Sequence, residues 1–266
     1  MSAFVLQPRR LWLQMRNDVV SNGRSLLIAL ASAGAVVIGL SVLTSIGYLT
    51  NEPNIGGGRA FHIPVYTVLL VVGGFIVTSL SFADLHDERK GMFYLSLPGS
   101  LLEKFVGKLL LTTILWVVGA TIAYFIASLI GAGISELAFG GSHGGYLPTS
   151  WIGLKVVLNY MLAQSIFLFG SIYFKKSAFI KTVLAVIVFA FAYMFVMVVV
   201  GRIVFSGYFA HLLPTDAEME RLGDLLLPVW PRLQRPAEVL GNVVNYAIVP
   251  LFFWVVGFIR LRETEV

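Results

Sequence analysis

The chain has 266 residues, 58% of them hydrophobic and 12% charged, against roughly 25% charged in soluble domains. That balance excludes an ordinary soluble globule, and the length suits one membrane domain, 1–266, with no appended soluble module. The absence of cysteine excludes disulfides, thiolate metal sites and thiol catalysis, and the net charge of +5 needs no nucleic-acid partner if the cations border anionic lipid.

Residues 1–24 mix Phe4, Leu6, Leu11, Trp12, Leu13 and Met15 with Arg9, Arg10 and Arg16, the composition of a segment lying along a membrane interface. Pro8 marks its start or a bend. A helix from about Arg9 places Leu11, Met15 and Val19 on one side by i, i+4 spacing, with Trp12 beside them. Its plainer reading is a passive anchor.

Six apolar runs follow, at 25–49, 64–83, 109–134, 156–174, 182–201 and 239–259, and none contains Asp, Glu, Lys, Arg or His. Each is close to or above the roughly 20 residues that a helix rising about 1.5 Å per residue needs to cross about 30 Å of hydrocarbon. Ala31-Ser32-Ala33 has the look of a signal cleavage site, but the apolar stretch continues to Leu49, so the first span is expected to stay as an anchor. Proton relays, ion sites and redox cofactors need ionisable groups at depth, so any work on a substrate is expected to be driven from outside the bilayer. With the N-terminus in the cytosol, 13 of the 19 Lys and Arg residues fall on the inner side: Arg9, Arg10, Arg16, Arg24, Arg89, Lys90, Lys104, Lys108, Lys175, Lys176, Lys181, Arg260 and Arg262. The positive-inside bias thus predicts two cytosolic termini.

Between the spans, the Gly-rich outer loops at 50–63 and 135–155 read as connections. The outer segment 202–238 is longer and partly apolar. Thr215 with Glu218 predicts a capped helix over about 216–226, ended by Pro228 and Pro231, and Phe205, Tyr208, Phe209 and Trp230 suit the outer interface. Within the spans, Gly34, Gly39, Gly73, Gly74, Gly107, Gly119, Gly131 and Gly133 are expected to permit close helix approach, and Pro250 to bend the last span. The fourth span carries Asn159, Tyr160, Gln164, Ser165 and Ser171. Asn159, Gln164 and Ser165 are candidate pathway-lining residues, with hydrogen bonding between neighbouring helices as the plainer reading.

The richest stretch is the predicted cytosolic loop 84–108 between the second and third spans. Asp87, Glu88, Arg89 and Lys90 form a polar tip, Gly91 frees the backbone, and Met92 to Leu97 supply a short apolar element that Pro98-Gly99 ends. Ser100 and Glu103 form a second capping box, predicting a helix that starts at Leu101 and runs on into the third span. A short amphipathic element beneath a bilayer suits a groove on a soluble partner.

Here the chain resembles the permease subunits of type-2 ABC transporters, closest to the small six-helix permeases common in bacteria. The resemblance is carried by Glu88-Arg89, Gly91, Leu97-Pro98 and Gly107-Lys108, with Leu95-Ser96-Leu97-Pro98-Gly99-Ser100 and Glu103-Lys104-Phe105 around them. It implies an all-α, six-helix integral membrane fold with an N-terminal interfacial helix, a coupling helix around 88–97 and a partly helical outer segment before the last span. It also implies an exporter of the bacterial inner membrane, working as a homo- or heterodimer of permease chains with two copies of a separate ABC ATP-binding subunit. The expected partner contacts are Asp87, Glu88, Arg89, Lys90, Gly91, Met92, Phe93, Leu95, Pro98, Ser100 and Glu103. ATP and Mg would be bound by the partner, and no cofactor is expected in this chain. Independently, no G-x-x-x-x-G-K-[ST] phosphate loop occurs, since Gly107-Lys108-Leu109 lacks both the upstream glycine and the hydroxyl.

Rival readings rest on less. Gly140-Gly141-Ser142-His143-Gly144 matches G-x-S-x-G, but the serine of that motif needs a defined turn and an oriented base, whereas this one lies in a Gly-rich loop. His62, His86, His143 and His211 lack paired metal-ligand spacing, so no metal site is expected. The alternatives that remain are a noncatalytic membrane scaffold and a secondary transporter, the latter usually marked by ionisable residues or broken helices at midplane.

Overall fold

The computed structural model describes residues 7–21, 23–49, 61–86, 99–140, 146–148, 151–206, 215–228 and 230–264. These form helices α1 (Pro8–Ser21), α2 (Gly23–Leu49), α3 (His62–Leu80), α4 (Leu101–Leu110), α5 (Trp116–Phe139), α6 (Trp151–Tyr173), α7 (Ala178–Val204), α8 (Asp216–Leu226), α9 (Trp230–Val243) and α10 (Val249–Glu263). There is no strand among the described residues. A single π turn, Leu111–Leu115, joins α4 to α5, and another, Val244–Ile248, joins α9 to α10. Six helical stretches are long and apolar enough to cross a membrane, at Leu26–Ser45, His62–His86, Leu101–Phe139, Trp151–Tyr173, Ala178–Val204 and Gln234–Glu263. The chain is a multi-pass, all-helical membrane protein.

Both capping boxes anticipated from sequence are present. Ser100 accepts from the Glu103 amide at 3.2 Å while Glu103 accepts from the Ser100 amide at 2.9 Å, so α4 begins where that pattern places it. The Thr215 amide likewise donates to Glu218 at 2.9 Å and opens α8. Pro231 does not end a helix, as expected from sequence, but lies in the first turn of α9, where a missing N–H costs nothing. Helix α9, which then runs on into the last span, went unanticipated.

Helix α2 packs along α5, α3 lies against both α5 and α6, and α6 also meets α7 and α10. Two adjacent glycines let α3 touch both neighbours. A methyl at Gly73 would overlap the indole of Trp116, and one at Gly74 the ring of Tyr160. In lipid, where apolar exclusion does not drive helices together, such close approach is the main source of packing energy. Gly131 meets Ser41 in the same manner, Gly34 and Gly107 make ordinary contacts, and Gly170, unremarked in sequence, seats Thr182 of α7. Gly39, Gly119 and Gly133 differ from expectation, with nothing within 4 Å of an added methyl, so they lie on outward faces of the chain.

At one end of the bundle, here the far end, His62 stacks on Tyr146 at 5.1 Å and its Nδ1 lies 2.9 Å from the Tyr124 hydroxyl. The Tyr146 amide donates to Ser128 Oγ, which ties the 146–148 segment to α5. Burial pushes the Tyr146 hydroxyl above its usual range, with Tyr66 adding to the shift. Gly140 closes α5 at φ 71°, a left-handed geometry that suits glycine.

Candidate functional site

The end of the bundle opposite His62, the root end, carries both stems of the loop singled out in sequence. The tip residues Asp87, Glu88, Arg89, Lys90, Gly91, Met92, Phe93, Leu95 and Pro98 lie outside the described residues, as do Ser142 and His143. The stems are fully placed. On the entry side, the single 3-10 turn Ala83–His86 follows α3, and His86 Nε2 lies 3.0 Å from the Ser171 carbonyl of α6. On the exit side, Ser100 caps α4. Between the stems sits an apolar cluster of Phe82, Leu101, Phe105, Leu168, Ile172 and Leu261, flanked by Trp254 and Phe258. The Phe105 ring meets Phe258 edge-on at 5.6 Å. This one cluster joins α3, α4, α6 and α10, so the stems are anchored in the bundle rather than hung from it.

Helix α1 clasps the exit stem. Leu11 and Met15 lie in ordinary contact over Gly107, and Gln14 covers Gly99, where a side chain would intrude. The Glu103 carboxylate, 1% exposed, is shared between two helix starts: Oε2 accepts from the Ser100 amide and Oε1 from the Gln7 amide at 2.7 Å. Gln7 immediately precedes Pro8, the first residue of α1, so one negative charge caps α1 and α4 together. At the other end of the contact, Asp18 pairs with Lys108 at 2.9 Å. Trp12 projects away from the clasp, 65% exposed, as a residue facing headgroups would. Of the loop residues named from sequence, Ser100 and Glu103 are thus brought together with Gln7, Asp18 and Lys108. Glu103 spends its carboxylate on the chain's own backbone.

The candidate pathway residues occupy different positions. Gln164 and Ser165 are wholly buried. Ser165 donates to the Leu162 carbonyl of its own helix, and Gln164 Nε2 donates to Thr112 Oγ1 at 2.8 Å. Beside them the Tyr160 hydroxyl donates to the Thr112 carbonyl at 2.5 Å. Asn159 is exposed, and its Oδ1 accepts from the Tyr246 hydroxyl at 3.0 Å. In the single chain Gln164 and Asn159 bond α6 to neighbouring helical segments, while Ser165 bonds within α6.

Sequence reasoning missed Gln7, Asp18 and Lys108 as a clasp. The only signal was that Leu11, Met15 and Asp18 fall near one face at helical spacing. Comparisons with protein-family models, curated proteins and solved structures return no match to this chain.

Proposed function

We propose that this chain is the membrane-spanning subunit of an ATP-driven ABC exporter of the bacterial inner membrane. In this reading two permease chains form the pathway, and a separate ATP-binding subunit, in two copies, drives it through the 84–108 loop. Both termini face the cytosol. The observation that carries the reading is the anchoring of that loop at both stems: His86 to Ser171 on one side, and the α1 clasp through Glu103 and Lys108 on the other. A loop that only linked two spans would need neither anchor, whereas one that transmits force must not slip at its base. The apolar runs contain no Asp, Glu, Lys, Arg or His, which favours energy supplied from outside and an amphipathic or hydrophobic cargo over a free ion.

Within this reading Glu88 and Arg89 make the polar contacts with the ATPase, while Met92, Phe93 and Leu95 fill its groove. Pro98 and the Ser100–Glu103 box set the angle at which α4 leaves the loop. Purification from native membrane in mild detergent, with mass spectrometry and an ATPase assay, tests the assignment. A P-loop ATPase recovered at near-equal stoichiometry, and lost on Arg89→Glu with Phe93→Ala, is the expected result. Recovery of the folded chain alone and without ATPase activity would sink the exporter and favour a noncatalytic scaffold or a secondary transporter.

A further inference from the structure

Three polar side chains of α6 converge on the only two π turns among the described residues. Tyr160 and Gln164 both bond Thr112, in the π turn that joins α4 to α5. Asn159, the residue before Tyr160, bonds Tyr246 in the π turn that joins α9 to α10. Consecutive residues on a helix differ in height by only about 1.5 Å and point about 100° apart. One level of α6 therefore grips both turns at once, on two of its sides.

Each turn has a local cause. Pro250 cannot donate to the carbonyl of Tyr246, four residues earlier, and its ring crowds that carbonyl, which a wider turn relieves. In the other span, Thr112 and Thr113 send their hydroxyls back to the Lys108 and Leu109 carbonyls, a bonding habit that loosens a helix. Both turns divide their spans into a root half and a far half. The root halves, α4 and α10, meet through Phe105, Phe258 and Leu261. The far half α5 packs instead on α2 and α3.

We infer that the two π turns are paired hinges, and that Asn159, Tyr160 and Gln164 are positioning residues that latch them in one register. The root halves α4 and α10, held together by the cluster they share, swing as one against the far halves α5 and α9 when the latches release. Gln164 Oε1, buried and without a hydrogen-bond partner among the described residues, is the acceptor that the Thr112 hydroxyl takes up when it lets go of the Lys108 carbonyl. The inference does not depend on what drives the motion, so it stands or falls separately from the exporter reading.

The chain has no cysteine, so introduced cysteines take spin labels selectively. The test is pulsed electron spin resonance on the full chain in lipid nanodiscs, labelled at Ile126→Cys on α5 and Ile259→Cys on α10, both exposed, and diluted with unlabelled chain. Adding Asn159→Ala with Tyr160→Phe is expected to turn a single distance into two populations. Their separation should be on the order of 5 Å, the scale of a one-residue change of register in a helix with side chains 5–6 Å from its axis. A pair on the far side alone, Val68→Cys with Ile126→Cys, is expected to keep one distance. An unchanged distribution across the hinge, or equal broadening of the control pair, overturns the inference. If the double variant does not fold, Asn159→Ala alone decides. Asn159 is exposed and its loss leaves no buried hole, so a single sharp distance there also overturns it.

Discussion

Helices α6 and α7 are neighbours of similar length with opposite characters. The most apolar 18-residue stretch of α7 has a mean hydropathy of 3.0, and the helix buries only Thr182; the corresponding stretch of α6 has a mean hydropathy of 1.6, and the helix buries nine residues, among them Tyr160, Gln164, Ser165 and Ser171. In a soluble protein the more apolar helix would be the inner one. Here lipid is as apolar as the core, so apolar area gains nothing by moving inward, while polar groups that cannot meet water must meet each other. The helix with the most hydrogen-bonding capacity therefore becomes the axis, and the greasiest helix lies at the edge.

That contrast can be broken most forcefully at the contact between α3 and α6. Gly74→Leu drives a branched side chain into the Tyr160 ring. Overpacking costs about 1–3 kcal/mol even in milder cases, so the monodisperse fraction on size exclusion is expected to fall at least tenfold. The matching insult to the edge helix, Phe189→Ala on exposed α7, should shift the melting temperature of the isolated chain hardly at all. Equal damage from both would mean that α6 is not the axis.

At the root, Glu103→Ala removes the acceptor shared by the Gln7 and Ser100 amides. An expected cost of about 1–3 kcal/mol, from the lost cap and orphaned buried donors, should appear as faster tryptic cleavage at Arg9, Arg10 and Arg16 of α1. Glu103→Gln, which keeps the shape but only one of the two acceptor oxygens, leaves either the Gln7 or the Ser100 amide facing an NH2 group and should restore only part of the protection. Smaller again is the Asp18–Lys108 pair, partly open to solvent. A double-mutant cycle with Asp18→Asn and Lys108→Met is expected to give about 0.5–1 kcal/mol of coupling, falling as salt is added. Tyr160→Phe should cost least in stability, about 0.6 kcal/mol, the average for a hydrogen bond between membrane helices. Its larger effect is expected on the hinge distance.

Much of the chain was readable because the relevant signals are local. Runs of apolar residues mark spans whatever they pack against, and Ser100-x-x-Glu103 and Thr215-x-x-Glu218 name helix starts because the capping partners lie within one turn. Pro250 announced an irregularity in the last span, and the structure shows it as a π turn just before the proline. The Thr112-Thr113 turn had no such herald. The polar residues of the fourth span were visible at once, but whether they faced a pathway or a neighbour could not be read from α6 alone.

By itself, then, the sequence determined where the spans lie, where α4 and α8 begin, and that no Asp, Glu, Lys, Arg or His sits in an apolar run. Each of these follows from bonding within a few residues or from the cost of charge in hydrocarbon. Only the tertiary structure decided that α6 is the axis, that Glu103 caps two helices rather than one, and that Asn159 and Tyr160 grip two turns at one level. Those facts depend on which residues meet across distant segments, such as the Gln7 and Glu103 partners 96 positions apart. Such meetings are set by how glycines such as Gly73, Gly74 and Gly131 let the helices approach.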